Sequence, residues 1–165
     1  GYYVESHGLV MENGLPASGT LTLAQDPPAH LYDLVAGREL SLTKQHELPV
    51  TLGPCDGRLF MSLPRPIAGV TLSAPETAKG GETVNLRISV NDPAEKPLPA
   101  VIPLLVEIRD SNGRLAEGSG YHATEGGILQ LGLDLAPNED PGMWEITVRE
   151  LASRASAAAA MRVRR

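Results

Sequence analysis

The chain has 165 residues with a net charge of −6, and 42% of them are hydrophobic. This composition is typical of a globular protein and excludes a disordered chain. Basic residues cluster only at Arg162, Arg164 and Arg165, so the chain lacks the basic surface that follows a phosphate backbone, and we expect no nucleic-acid partner. No apolar run reaches the ~20 residues that cross a bilayer, so we expect no membrane insertion.

Residues 1–66 form the first predicted unit, a small antiparallel β-domain. Its predicted strands are residues 20–23, 30–34, 38–42, 48–52 and 59–63. We expect the second and third strands to form a hairpin around Val35-Ala36-Gly37, and the fourth and fifth to form another around residues 53–57. A core of this size is marginal alone, so we expect the unit to pack on its neighbour or on further sequence of a parent protein.

A segment with two prolines and a glycine, residues 63–69, predicts a linker, and we place the domain boundary between residues 66 and 67. The second predicted unit therefore covers residues 67–165. Its predicted strands lie within residues 70–72, 84–90, 104–108, 115–122, 129–135, 144–148 and 157–163. Seven short strands separated by Gly/Pro turns favour a Greek-key β-sandwich. The last segment is rich in alanine, which favours helix; as a strand, we expect it to form the closing edge.

The clearest alternation in the chain is in the two strands on either side of an acidic Pro/Gly turn at residues 136–142. Because successive side chains of a strand point to opposite faces, apolar residues two apart share one face. The residues that do so are Leu129, Leu131, Leu133 and Leu135 before the turn, and Trp144, Ile146 and Val148 after it. We therefore expect a sheet that is packed on one side, with Trp144 in the core.

Four segments of the second unit carry a resemblance to a known family: residues 80–84, 106–113, 124–128 and 141–148. Over residues 68–164 the chain resembles the immunoglobulin-like domains of the bacterial macroglobulin type. The resemblance implies a seven-stranded immunoglobulin-like β-sandwich that acts as a spacer or scaffold. The sequence lacks the thioester motif of full macroglobulins, so the resemblance implies no covalent trapping. The expected fold class is all-β, with the small antiparallel domain followed by this sandwich.

The first unit is similar to the small β-domain that closes many glycoside hydrolases and related large secreted bacterial enzymes. The matching residues are 29–40, 48–52 and 59–63, including the pattern Tyr-Asp-x-x-x-Gly-x-x-Leu from Tyr32 to Leu40. In those enzymes the catalytic carboxylates lie in an upstream domain. The resemblance therefore assigns no catalytic residue to this chain.

The candidate acid–base and metal-binding groups of the sequence are carboxylate pairs, histidines and acidic turns. Asp33 with Glu39, and Glu139 with Asp140, could serve glycoside hydrolysis, but they are better interpreted as solvated charges of turns and strand faces. The histidines are scattered, at His7, His30, His46 and His122. Asp110-Ser111-Asn112-Gly113 begins like a calcium loop, but Tyr121 stands where the bidentate Glu is needed. A weak calcium site formed by Asn138, Glu139 and Asp140 stays open, although we expect no metal.

Nucleophile and phosphate motifs are also missing from the sequence. Cys55 is the single cysteine, so no internal disulfide can form, and no motif links it to His46. Gly118-Ser119-Gly120 lacks the Gly-x-Ser-x-Gly pattern of a serine nucleophile. Lys79-Gly80-Gly81 has the wrong order for a phosphate-binding loop. We therefore expect no enzyme activity, no catalytic residue and no cofactor.

Aromatic residues make up 4% of the chain, which leaves few rings for the stacking platforms of carbohydrate or single-stranded nucleic-acid sites. The candidates for exposed rings are Tyr2, Tyr3, Tyr32 and Tyr121. A carbohydrate site would need at least two exposed, coplanar rings.

The sequence begins Gly1-Tyr2-Tyr3 without the charged and apolar regions of a signal peptide, and we interpret it as a fragment. The expected function is that of a non-catalytic accessory or scaffolding region of a larger, exported bacterial protein, whose other domains are the partners. The compartment would be the periplasm or the cell exterior, through the parent protein. The alternative is a carbohydrate- or protein-binding module of a parent similar to glycoside hydrolases.

Overall fold

A computed structural model describes residues 16–24, 30–54 and 56–165. The secondary structure of these residues consists of β-strands, which confirms the predicted all-β class. The chain divides into two compact units, Gly1–Pro64 and Arg65–Arg165, and this division lies inside the Pro/Gly segment that we expected to be a linker. Within the described ranges, no helix is long and apolar enough to cross a membrane.

The first unit contains two small antiparallel sheets. Its strands are β1 (Ala17–Thr22), β2 (His30–Asp33), β3 (Arg38–Leu40), β4 (Glu47–Leu52) and β5 (Phe60–Leu63). One sheet pairs β1 with β4, and the other has the order β3-β2-β5. The predicted hairpin of β2 and β3 is confirmed. The predicted hairpin of β4 and β5 is wrong, because β4 pairs with β1 and β5 with β2; alternation predicts a strand but does not select its partner.

The second unit is an immunoglobulin-like β-sandwich. Its strands are β6 (Gly69–Ser73), β7 (Thr77–Lys79), β8 (Thr83–Asn91), β9 (Pro103–Arg109), β10 (Gly120–Ala123), β11 (Ile128–Asp134), β12 (Gly142–Glu150) and β13 (Ser156–Arg164). A sheet of order β10-β9-β12-β13-β7 belongs with a second sheet of order β11-β8-β6. The structure adds one short strand, β7, to the seven that were predicted.

The short strand β7 changes the predicted position of the last strand. β13 pairs antiparallel with β12 and parallel with β7, so β7 and not β13 is the edge of the larger sheet. The expectation of a closing edge at β13 was therefore wrong, because the chain changes sheets after Pro75 and runs beside β13. The alanine-rich segment is a strand despite its helix propensity, since Met161 and Val163 are buried in the core.

The two strands with the clearest alternation lie in different sheets. β11 pairs with β8, whereas β12 lies between β9 and β13. Trp144, Ile146 and Val148 are buried as predicted. In β11, Leu133 is buried, whereas the two leucines nearer its start are half-buried. The predicted apolar face is thus confirmed, but it is fully covered only at one end of β11.

The connection from β10 to β11 depends on glycine at residue 127. Gly127 has φ +79°, and a Cβ at this position would lie 2.3 Å from the carbonyl oxygen of Leu98. Its carbonyl accepts a hydrogen bond from the N–H of Val90, and its N–H donates to Ala100. A residue with a side chain would combine a left-handed backbone with a direct clash, so this turn requires glycine.

Candidate functional site

Buried carboxylates at the ends of strands are the candidate chemical groups of the described structure. They are Asp33, Asp92 and Glu150. Asp33 ends β2, Asp92 follows β8 and Glu150 ends β12. A carboxylate at this position can accept hydrogen bonds from backbone N–H groups of the turn that follows. Each of the three groups is therefore either available for chemistry or already occupied by its own turn.

Asp33 belongs to the hairpin between β2 and β3. Its Oδ1 accepts hydrogen bonds of 2.9 Å from the N–H groups of Val35 and Ala36, and its Oδ2 lies 3.5 Å from the guanidinium of Arg58. Asp33 also lines a cleft of about 170 Å³ within the first unit. The carboxylate thus caps its turn and is balanced by an arginine.

Glu39, the second member of the carboxylate pair that the sequence suggested, has different partners. Its Oε1 is 2.6 Å from Nδ1 of His30, which donates, and its Oε2 accepts a bond of 3.5 Å from the Tyr32 hydroxyl. Glu39 lies opposite Tyr32 in the sheet, whereas Asp33 lies opposite Arg38. The structure therefore does not bring Asp33 and Glu39 together as an acid–base pair.

Asp92 occupies the turn after β8. Its Oδ1 accepts hydrogen bonds of 2.9 Å from the N–H of Ala94 and 3.0 Å from that of Lys96, and its Oδ2 pairs with the guanidinium of Arg65. The backbone N–H of Lys96 lowers the pKa of Asp92 most, and Ala94 and Arg65 lower it further, against an opposing effect of burial. The group is therefore held in its ionised form.

We expect the stability of the second unit to fall in acid through Asp92. Because its folded-state pKa is below the ordinary value of 3.8, ionised Asp92 stabilises the fold above pH 3.8, and this contribution is lost as the pH falls through the folded-state pKa. Asp92→Asn should lower the midpoint of urea unfolding at pH 7, and the difference from the wild type should shrink towards pH 2. Glu95→Gln, exposed in the same turn, is the control. A constant difference across this pH range would contradict the assignment.

Glu150 is the most deeply buried carboxylate of the described ranges, with 0% of its surface exposed. Its oxygens accept hydrogen bonds from the N–H groups of Ala152 at 2.8 Å, Ser153 at 2.7 Å and Ala155 at 3.1 Å. The hydroxyl of Ser153 also donates to it. This carboxylate organises the whole turn between β12 and β13.

The acidic segments that suggested calcium binding meet at one end of the sandwich. Asp110 begins a turn in which its Oδ1 accepts from the N–H groups of Asn112 and Arg114. Nδ2 of Asn112 donates to Asp140 at 2.9 Å. The guanidinium of Arg114 lies 2.6 Å from Asp110 and 3.1 Å from Asp140. We call Asp110, Asn112, Arg114 and Asp140 the end cluster.

Arg114 supplies the positive charge of the end cluster. Burial raises the pKa of Asp110, but the backbone N–H and guanidinium of Arg114 outweigh this effect, so that its pKa is lowered overall. The hydrogen bond to Asp110 correspondingly raises the pKa of Arg114. Within the part of the chain that the structure describes, no group of three or more His, Cys, Asp or Glu side chains could hold a metal. The weak calcium site of Asn138, Glu139 and Asp140 has one amide and two carboxylates, so it is not a group of this kind and stays a prediction.

A cleft of about 320 Å³ adjoins the end cluster and reaches Trp144. Asp110 and Arg114 of the end cluster line it, and its other charged lining residues are Glu117, Asp134 and Glu139. Trp144 is 2% exposed, and its indole N–H has no acceptor in the part of the chain that the structure describes. The only tryptophan is therefore a core residue, as its alternation predicted, and it also lines an acidic cleft.

The remaining candidate residues do not converge. Ser119 Oγ donates to the carbonyl of Ile108 and accepts from its N–H, so this hydroxyl fixes a loop. Nε2 of His122 donates to the carbonyl of Gly118 at 2.8 Å. Lys79 begins the turn to β8, in which the N–H of Glu82 donates to the Lys79 carbonyl. His7 and Cys55 lie outside the described residues.

The tyrosines do not form a stacking platform in the described ranges. Tyr32 is buried, with 1% exposed, whereas Tyr121 is 78% exposed. Tyr2 and Tyr3 lie outside the described residues. With Trp144 in the core, Tyr121 is left as a single exposed ring among the candidates that the structure describes.

Comparisons with known proteins give a likeness of fold. No protein-family model matches the chain, and no curated protein matches it at a significant level. Alpha-2-macroglobulin of E. coli is 19% identical with a TM-score of 0.49, and the match covers 94% of this chain and 11% of that one. The adhesin InvE of Yersinia pseudotuberculosis is 9% identical with a TM-score of 0.47, covering 92% and 49%. The superoxide reductase neelaredoxin from Ignicoccus hospitalis is 18% identical with a TM-score of 0.41, covering 59% and 82%. These values carry no argument about activity or partners.

Proposed function

We propose that the chain is a non-catalytic accessory region of a larger, exported bacterial protein, in which it acts as a scaffold that holds neighbouring domains. The observation that supports this proposal is the occupation of the buried carboxylates. Asp33, Asp92 and Glu150 each accept at least two hydrogen bonds from backbone N–H groups of their own turns. These groups stiffen loops, which is what a spacer domain requires.

The electrostatics support the same interpretation. A carboxyl group that acts as a general acid needs a raised pKa, which burial in an apolar pocket provides. The pKa values of Asp92 and Asp110 are lowered instead, so both groups stay ionised near neutral pH. An enzyme that uses one of them as an acid is therefore disfavoured.

The proposed partners are the other domains of the parent protein, and the proposed compartment is the periplasm or the cell exterior. The macroglobulin-type resemblance of residues 68–164 belongs to this proposal, because domains of that type act as spacers. The carbohydrate-binding alternative has less support, since Tyr121 is the single exposed tyrosine among the described residues and one ring does not make a stacking platform.

Deletion in the parent protein tests the scaffold role. In the natural protein that contains this chain, removing residues 1–165 should lower the melting temperature of the adjoining domain and increase its cleavage by protease. The activity per folded molecule of that domain should stay unchanged. Equal melting temperatures with and without residues 1–165 would contradict the proposal.

An assay of the isolated chain tests its non-catalytic character. The purified 165-residue protein should hydrolyse nitrophenyl glycosides and esters no faster than buffer. If hydrolysis does occur, Asp33→Asn and Glu39→Gln would show whether the carboxylates of the first hairpin are responsible. A rate that one of these substitutions abolishes would overturn the proposal.

A further inference from the structure

The smaller sheet of the sandwich ends at a strand with an open edge. β11 pairs with β8, and among the described residues no strand pairs with its other side. An edge of this kind presents unpaired N–H and C=O groups that can accept a further strand. β11 is seven residues long, longer than the other three edge strands of the two sandwich sheets.

The hydrogen bonds at the two ends of β11 identify which residues face this open edge. The carbonyl of Gly127 accepts a hydrogen bond from Val90 of β8. At the other end, Leu135 is hydrogen-bonded to Gly81 and Glu82, which directly precede β8. Since the direction alternates along an antiparallel strand, the odd-numbered residues between them also face β8. Ile128 faces away, where it exchanges two hydrogen bonds with Glu125. The outward backbone groups that remain are those of Gln130, Gly132 and Asp134.

The side chains of β11 show that the core is incomplete at this edge. Leu129 and Leu131 face inwards opposite Ile88 and Leu86, which are almost fully buried, yet both leucines are only half-buried. One more strand beside β11 would cover them.

The edge also lacks the usual protection against pairing. Native edges are commonly blocked by lysine, proline or a bulge, whereas β11 reads Ile-Leu-Gln-Leu-Gly-Leu-Asp and has one charge, at its end. At the opposite edge of the same sheet, β6 is followed by Pro75, and the chain then crosses to the other sheet as β7.

We propose that β11 pairs antiparallel with β11 of a second copy of this chain, about a two-fold axis at Gly132. This register places Gln130 opposite Asp134 of the second copy, and Gly132 opposite Gly132. It forms roughly six backbone hydrogen bonds, two for each hydrogen-bonded pair. It also places Leu131 beside Leu133 of the second copy on one continuous apolar face.

The charges of β11 favour a second copy of this chain as the pairing partner and favour the register centred on Gly132. The two Asp134 carboxylates lie at opposite ends of the pair, each facing a glutamine amide that can donate to it, so no like charges stand opposite each other. Gly132 has no positive φ, and a Cβ there would meet only Thr83 at 3.8 Å, so the central position tolerates a side chain and can be used as a probe.

Charge substitutions at Gln130 test the pairing and its register. In analytical ultracentrifugation of the full chain, the wild type should form dimers whose fraction increases with concentration from micromolar to millimolar. Gln130→Asp should weaken dimerisation about tenfold or more by placing two carboxylates opposite each other, and Gln130→Lys should strengthen it. Asn85→Asp, on the same outer face one strand away, is the matched control and should leave dimerisation close to that of the wild type.

A cross-link locates the contact independently. In a Cys55→Ser background, Gly132→Cys should form a disulfide between two copies under mild oxidation, because the hydrogen-bonded pair places the Cα atoms ~5.5 Å apart. Asn85→Cys should not. A chain that stays monomeric at millimolar concentration overturns the proposal, and so does a dimer that Gln130→Asp and Asn85→Asp weaken equally.

Discussion

Trp144→Ala is expected to destabilise the second unit by about 3–5 kcal/mol, the range for large aromatic residues removed from a core. Trp144 is 2% exposed and lies on β12 opposite Met161 of β13. Its removal leaves a cavity between the sheets that the paired strands cannot close. Urea unfolding followed by far-UV circular dichroism measures the loss, since the variant has no tryptophan fluorescence.

Trp144→Phe separates the role of the ring from that of the indole nitrogen. Because the Trp144 N–H has no acceptor among the described residues, phenylalanine removes a buried, unpaired donor and keeps most of the apolar contact. A buried donor without a partner costs about 1–3 kcal/mol, which offsets part of the lost volume. We expect a loss less than half of that for alanine. Equal losses for the two variants would show that the indole nitrogen has a partner in solution.

The sequence predicted the strands of this chain better than their partners. Alternation in residues 84–90 and 144–148 reflects burial of one face, which is a local property, so both strands were found. Pairing depends on contacts between distant segments. β4 and β5 are neighbours in sequence with a turn between them, yet each pairs with an earlier strand. Nothing in their composition distinguishes a hairpin from that arrangement.

For the polar sites too, the sequence indicates contacts between neighbouring residues but not contacts between distant segments. The turn at Asp110 has a local signal in its own four residues, the Asn112-Gly113 pair, and the N–H of Gly113 donates to the Asp110 carbonyl within it. The contact of Arg114 with Asp140 joins residues 26 positions apart, which no local pattern indicates. Glu150 was not identified from the sequence, although the sequence contains a signal for it. Glu150 is in phase with the buried residues Trp144, Ile146 and Val148. A charge in phase with a core face predicts a buried carboxylate with specific partners.

Glu150→Ala is expected to destabilise the second unit by about 3–4 kcal/mol. The substitution leaves the N–H groups of Ala152, Ser153 and Ala155 without their acceptor, and hydrogen bonds to a charged group contribute about 1.5–3 kcal/mol each, although not additively. Thermal unfolding followed by circular dichroism measures the effect. Glu150→Gln keeps the shape and one acceptor, so we expect an intermediate loss.

Glu145→Ala is the matched control, because Glu145 is exposed on the same strand and its removal should change stability by no more than about 0.5 kcal/mol. Comparing Glu150→Ala with Glu145→Ala tests whether the buried carboxylate of Glu150 stiffens its turn, as the scaffold interpretation requires. If Glu150 stabilises the turn, hydrogen exchange in residues 151–155 should accelerate in Glu150→Ala more than exchange in β9. A uniform acceleration would show that the carboxylate stabilises the sandwich as a whole, and no loss of stability would show that the turn does not depend on it.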